Sequence, residues 1–403
     1  MKIAKGIMAM IGLVMLSGCA SHSVPMTAQN NLQDETWMRS IGLNTGRWVS
    51  GADSWYLNGE PNAIEKHNQK VMQVETISTM TVHVPDFTDI SVSGDFQVQI
   101  VGSKEHNSVF IVGPNAALRD LIVNVNSHHL SVRTADNSEK SFKNIIVRIN
   151  IHDLKSLQND GNGDVYGRNV VSDQLSIRSS GRGNIFLIGN MNLKMINQSG
   201  QGNMVILGGN ASHLDIHTIG TGSINIKGHV GLNHVVNHGA GTVRVIGADT
   251  HSLIIDAAGS GYTAVVGYAN LKQVTAVDSS RVYVYWLSSH DLLVQARDFA
   301  RIGLAGVVEN IKAGLTDSSR LEAQYLRSDA AYLKTQKESH ANIYVNRKLF
   351  ATTVDASSIY LFGNPPSVSS YVQQNGIIIP MATIPVPMDM PSPSQNLSVF
   401  SPQ

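Results

Sequence analysis

Apolar and polar positions alternate along the middle of the chain in short bursts, and the bursts recur. Each opens on a Gly-x-Gly turn, at Gly161, Gly181, Gly200, Gly220, Gly239 and Gly259. The series continues with the first glycine replaced, at Asp278, Asp298, Asp317, Ser339 and Asp355. Successive starts are 20, 19, 20, 19, 20, 19, 20, 19, 22 and 16 residues apart. Four residues after each start runs a column from Val165, Ile185, Met204 and Ile224 to Ile343 and Ile359. Six residues after each start, Leu187, Ile206, Ile226 and Val245 lead to Val345 and Leu361. The column between is mixed, with Tyr166, Asn225, Arg244, Tyr283, Tyr344 and Tyr360. Two apolar columns around a mixed one are the period-2 signature of a strand with one face buried. A second strand precedes most turns, as at Leu175-Ser176-Ile177 and Leu253-Ile254-Ile255.

One coil of this length cannot bury its apolar face alone. Stacking coils sets like residue over like and pairs each backbone with the coil above and below. The pattern therefore predicts an all-β fold, a parallel β-solenoid of roughly twenty-residue coils. Eleven rungs at about 4.8 Å each would span roughly 50 Å. A propeller would need repeats of about forty residues with four strands each.

Proline marks the limits of the repeat. None lies between Pro114 and Pro365, where every amide hydrogen is needed in a ladder, and 8 of the 12 lie from Pro365 onward. The expected organisation is a leader over residues 1–19, then a tether and Trp-rich N-terminal cap over 20–70 that holds Trp37, Trp48 and Trp55. Opening strands over 71–160 lead into repeat coils over 161–364 and a Pro/Ser-rich tail over 365–403.

Composition narrows the partners. Lys+Arg 30 balance Asp+Glu 30, which argues against a nucleic-acid partner. The single cysteine excludes an intrachain disulfide and a cysteine zinc cage. That cysteine ends Leu16-Ser17-Gly18-Cys19, after Lys2, Lys5 and a short apolar run from Ile7 to Leu16. The segment resembles a bacterial lipoprotein signal. The resemblance implies acylation at Cys19 by diacylglycerol and palmitate-type chains, a stable membrane anchor. With Ala20 and Ser21 next, it implies the outer membrane, on either its surface or its periplasmic face.

Ile90 to Ile100, Leu130-Ser131-Val132, Val147 to Asn150 and Leu154 to Leu157 lead into Gly161-Asn162-Gly163. Together with Gly183-Asn184-Ile185, this order resembles the autotransporter-adhesin head family, the GIN domain, over residues 80–275. The resemblance implies a β-helix-like fold and a cell-surface or envelope setting. It brings no catalytic residues with it.

The later coils depart from that family. Asp278-Ser279-Ser280-Arg281, Asp298-Phe299-Ala300-Arg301 and Asp317-Ser318-Ser319-Arg320 replace the glycine turns. If rungs are in register, three carboxylates and three guanidinium groups stack. The plainer account pairs each Arg with its own Asp. The functional account makes Arg281, Arg301 and Arg320 a cationic column for an anionic glycan or lipid headgroup. Tyr283, Tyr344 and Tyr360 fall in one outward column and would stack on sugar rings or simply cover the sheet. Asp164, Asn184, Asn203, Ser223 and Thr242 form an amide and hydroxyl ladder upstream, read as structural. His213, His217, His229, His234, His238 and His251 lie close in sequence at differing offsets, so no metal site is expected, nor any cofactor. No nucleophile elbow, zinc-protease helix or P-loop occurs. The expected function is a non-catalytic envelope lipoprotein, an adhesin-like scaffold for a glycan or another surface protein. The alternative is a β-helix polysaccharide lyase or hydrolase working on an anionic glycan, with acid/base pairs drawn from Asp278, Arg281, Asp298 and Arg301.

Overall fold

A computed structural model describes residues 77–135 and 141–382. The leader with Cys19, the tether, the Trp-rich cap and the last part of the Pro/Ser-rich tail lie outside the described residues. Parallel coils of about 19 residues stack into a β-solenoid of about 12 turns. Ile185, Met204 and Ile224 stand in direct register, each fully or almost fully buried. Burial of each such side chain contributes about 1.5–3 kcal/mol, and repetition sums it along the stack.

Each coil has two faces. The long strands β9 (Val165–Ser179), β10 (Ile185–Gln198), β11 (Met204–Thr218), β12 (Ile224–Asn237) and β13 (Thr242–Ala257) serve both. So do β14 (Tyr262–Ala276), β15 (Arg281–Ala296), β16 (Arg301–Leu315), β17 (Arg320–Thr335) and β18 (His340–Thr353). Register shifts on either side of a short middle segment, Gly209 to Ala211 in β11 and Ala248 to Thr250 in β13, mark the two corners by which the strand passes from the first of these faces to the second.

Eight shorter strands precede them. β2 (Asp89–Ser93), β3 (Gln97–Gly102) and β8 (Ser156–Asn159) join the parallel stack directly through β6 (His129–Thr134), β7 (Ile146–Ile151) and β9. Beyond them β4 (Ser108–Pro114) and β5 (Leu121–Asn126) run antiparallel to β7 and β6, and β1 (Ile77–Val82) to β4. Helix α1 (Asn115–Leu118) buries Ala117 and Leu118 there.

The far end extends further than proline usage suggests. After β19 (Ser358–Phe362), β20 (Ser367–Val372) and β21 (Ile377–Pro380) add parallel pairings inside the segment expected to be a tail. Pro365 and Pro366 sit between strands, where no ladder amide is lost.

Register also corrects the tenth repeat. Leu321 pairs with Ala341, and Ala323 with Ile343. The turn residue of that coil is Lys337, not Ser339, so Asp317, Lys337 and Asp355 are spaced 20 and 18 apart. Lys337 has neither the glycine nor the aspartate that marks the other turns, which is why the pattern slipped by two.

Candidate functional site

The turns decide what the outward columns can do, and the two halves of the stack use different turns. At Gly181, a Cβ would sit 1.9 Å from the Gly161 carbonyl oxygen of the coil before. Glycine is required there by close approach, without a positive φ. From Gly259 onward the turn residue adopts the left-handed region instead: Asp278 (φ 59°), Asp298 (φ 60°), Asp317 (φ 63°), Lys337 (φ 58°) and Asp355 (φ 62°). Asp is among the residues that tolerate this region. Its carboxylate finds a local partner too. Gly259 N–H donates to Asp278 Oδ2 at 2.9 Å, Asp278 N–H to Asp298 Oδ2 at 3.3 Å, and Lys337 N–H to Asp355 Oδ2 at 3.1 Å. Asp317 binds the Lys337 ammonium, which holds its carboxyl below the usual carboxylate range.

These bonds leave the arginines without the aspartates assigned to them. Among the described residues, none of Arg281, Arg301 and Arg320 forms an ion pair. The aspartates of the same turns are engaged elsewhere: Asp278 and Asp298 accept from backbone amides of the preceding coil, and Asp317 from the Lys337 ammonium. The guanidinium groups stand in direct register on the first face, all exposed.

One column explains how they come to be there. It runs Asp164, Asn184, Asn203, Ser223, Thr242, Tyr262, Arg281, Arg301, Arg320, His340 and Ser358. Its first members form the amide ladder: Asn184 N–H donates to Asp164 Oδ1 at 2.8 Å, Asn203 N–H to Asn184 Oδ1 at 2.9 Å and Ser223 N–H to Asn203 Oδ1 at 3.0 Å. From Tyr262 on the column carries larger groups, a half-buried tyrosine and then three exposed arginines, before it closes again on His340 and buried Ser358.

Tyr283 lies beside the arginines, and here the structure adds residues the sequence reading missed. Its ring centroid is 5.6 Å from that of Tyr262 and 6.3 Å from that of Tyr285, the latter nearly parallel. Tyr262 precedes Arg281 by one coil in the same column, so extending that column downward would have found it. Tyr285 lies two residues on from Tyr283, on the same face of the strand. Burial raises the Tyr283 phenol above its ordinary value, helped by the Glu322 carboxylate and opposed by Arg301 and Arg281. The phenol therefore stays protonated and able to donate.

The other two tyrosines are elsewhere. Corrected register puts Asn342, not Tyr344, in the Tyr283 column, and Tyr344 pairs with Phe362 instead. Tyr360 keeps the column but lies four rungs from Tyr283, roughly 19 Å away. The site is therefore Tyr262, Tyr283 and Tyr285 with Arg281, Arg301 and Arg320, bordered by Glu322 and His340.

On the second face, Tyr332 and Phe350 stack with centroids 4.9 Å apart and planes 3° from parallel. They border an open depression of about 480 Å³ over Gly314 that also takes in Lys312, Lys334 and Tyr371. The histidines are spread: His229 meets Asp249 and His238 meets Asp256, both at 3.3 Å, while His217 and His234 pack edge to face.

The chain matches the family described as "Putative auto-transporter adhesin, head GIN domain" over residues 86–285 and 266–365. Among solved structures it is similar to a putative adhesin from Parabacteroides merdae, with 18% identity over 76% of this chain and 96% of the other, at a TM-score of 0.24. A putative adhesin from Bacteroides fragilis shows 16% identity over 77% and 98% of the two chains, at 0.24. A putative lipid binding protein from Parabacteroides distasonis shows 14% identity over 76% and 96%, also at 0.24. No curated protein matches the chain.

Proposed function

Since the chain belongs to the family of putative auto-transporter adhesin head GIN domains, we propose that it serves at the cell envelope as a non-catalytic scaffold that holds anionic glycan. The observation that carries this reading is the column of three exposed arginines without carboxylate partners beside three clustered tyrosine rings. Guanidinium forks suit carboxylate and sulfate oxygens, and tyrosine faces suit the C–H face of a sugar ring. A rung repeat of about 4.8 Å is close to the length of one pyranose, so neighbouring arginines can meet successive residues of an extended chain. Cys19, alkylated by diacylglycerol and then exposed as the N-terminus by removal of the leader, anchors the scaffold to the outer membrane in this reading, and the polar stretch after it acts as a tether.

Glycan-array binding combined with a product assay on uronic-acid polymers tests it. Retention of uronate or sulfated chains without cleavage, weakened at least tenfold in Arg301→Ala, is the expected result. Cleavage of the polymer that disappears in Arg301→Ala would make the protein a lyase or hydrolase. Mass spectrometry of the envelope fraction tests the anchor: the diacylated Cys19 peptide is expected, and an unmodified one contradicts it.

A further inference from the structure

The two ends of the stack are finished differently. At the start, β4, β5 and β1 extend the stack by antiparallel pairing, and α1 packs into the core. At the finish, β20 and β21 lie on β18 and β19 and pair with nothing beyond them among the described residues. Core columns stop there in the open. Leu349 is fully buried, but Val368 above it is 52% exposed, and Val372 above buried Thr353 is 48% exposed.

Charge sets this rung apart as well. No Asp, Glu, Lys, Arg or His occurs from residue 356 to residue 388. Edge strands of monomers are ordinarily blunted by charges, prolines or bulges. β20 has none of the three: its sequence is Ser-Val-Ser-Ser-Tyr-Val, and its register with β18 is unbroken.

We propose that this rung is an interface with a second copy of the chain, joined tail to tail about a two-fold axis. A surface without charge can face itself without repulsion. The two-fold sets β20 antiparallel to its mate, so the free N–H and C=O groups pair and Val368 and Val372 are covered. Head-to-tail stacking would instead bring β20 against these antiparallel strands of the start. They offer no parallel coil end to continue the columns, so assembly stops at two.

Light scattering on the full chain, with sedimentation over a range of concentrations, tests this. A mass twice the 43.5 kDa of one chain is expected, returning to one chain in Val368→Lys and in Val372→Lys. Both side chains are already half-exposed, so an unchanged far-ultraviolet circular-dichroism spectrum in the two variants confirms that the fold is intact. A monomer at every concentration, growth beyond two copies, or a dimer untouched by both lysines overturns the proposal. So does a monomer that dimerises only when residues 383–403 are removed, because the chain's own C-terminus would then be the occupant.

Discussion

The ring of Tyr283 lies across Gly303 on the next rung: a Cβ built on Gly303 would sit 2.4 Å from Tyr283 Cδ1. The space that seats the ring is thus the missing side chain of Gly303, which borders both Arg281 and Arg301. Gly303→Ala must push the ring away, and the half-buried tyrosine can swing outward. Binding of an anionic oligosaccharide should weaken about tenfold by calorimetry, while the melting temperature changes little. Unchanged affinity would mean that the ring takes no part.

The left-handed aspartates give a graded series. Asp278→Asn keeps a side-chain oxygen for Gly259 N–H and tolerates the positive φ, so its stability should stay near wild type. Asp278→Gly relieves the backbone but drops the acceptor. Asp278→Ala loses the acceptor and pays about 1–2 kcal/mol for the left-handed conformation. Chemical denaturation of the three variants should rank them in that order.

Glycines of the first half behave oppositely. Gly181→Ala drives a methyl group into the Gly161 carbonyl, and backbone shifts of that kind cost about 1–3 kcal/mol or more. Gly314→Ala, with nothing within 4 Å of the added carbon, should stay within about 0.5 kcal/mol of wild type. Unfolding curves of the two side by side check the contrast.

His340 continues the arginine column, and burial, then Arg320, lowers its pKa below 6.5, with Glu338 opposing. Its ring also contacts the Ser358 hydroxyl. The unfolded chain takes up the proton first, so this residue's share of stability is present above pH 6.5 and is lost as pH falls through the lowered pKa. Once charged, it becomes a fourth cation of the column. Affinity for an anionic oligosaccharide should therefore rise as pH falls below 6.5, and His340→Gln should flatten that rise in a calorimetric pH series.

The stacking of the coils could be read from the sequence because glycine and aspartate turns recur with apolar residues at fixed offsets. The column through Ile185, Met204 and Ile224 needed nothing more. The tenth coil misled because Lys337 occupies the left-handed turn and buried Ser339 resembles a start. Ser339 in fact belongs with Ser280, Ser319 and Ser357, whose hydroxyls each donate to the carbonyl three residues back at 2.8 Å. Of the site, Arg281, Arg301 and Arg320 were legible from spacing. Their freedom was not, since it depends on which way the aspartate side chains turn. Nor did spacing show the grouping of Tyr262 and Tyr285 around Tyr283.

Arg281, Arg301 and Arg320 stand one rung apart in a single column. Paired cysteines in a Cys19→Ser background test this most directly. Neighbouring rungs place Cα atoms about 4.8 Å apart, inside the range a disulfide spans, whereas two rungs place them roughly 10 Å apart, outside it. Mild oxidation should close Arg281→Cys with Arg301→Cys, and Arg301→Cys with Arg320→Cys, but leave Arg281→Cys with Arg320→Cys open. Closure of the distant pair, or failure of both neighbouring pairs, would contradict the column.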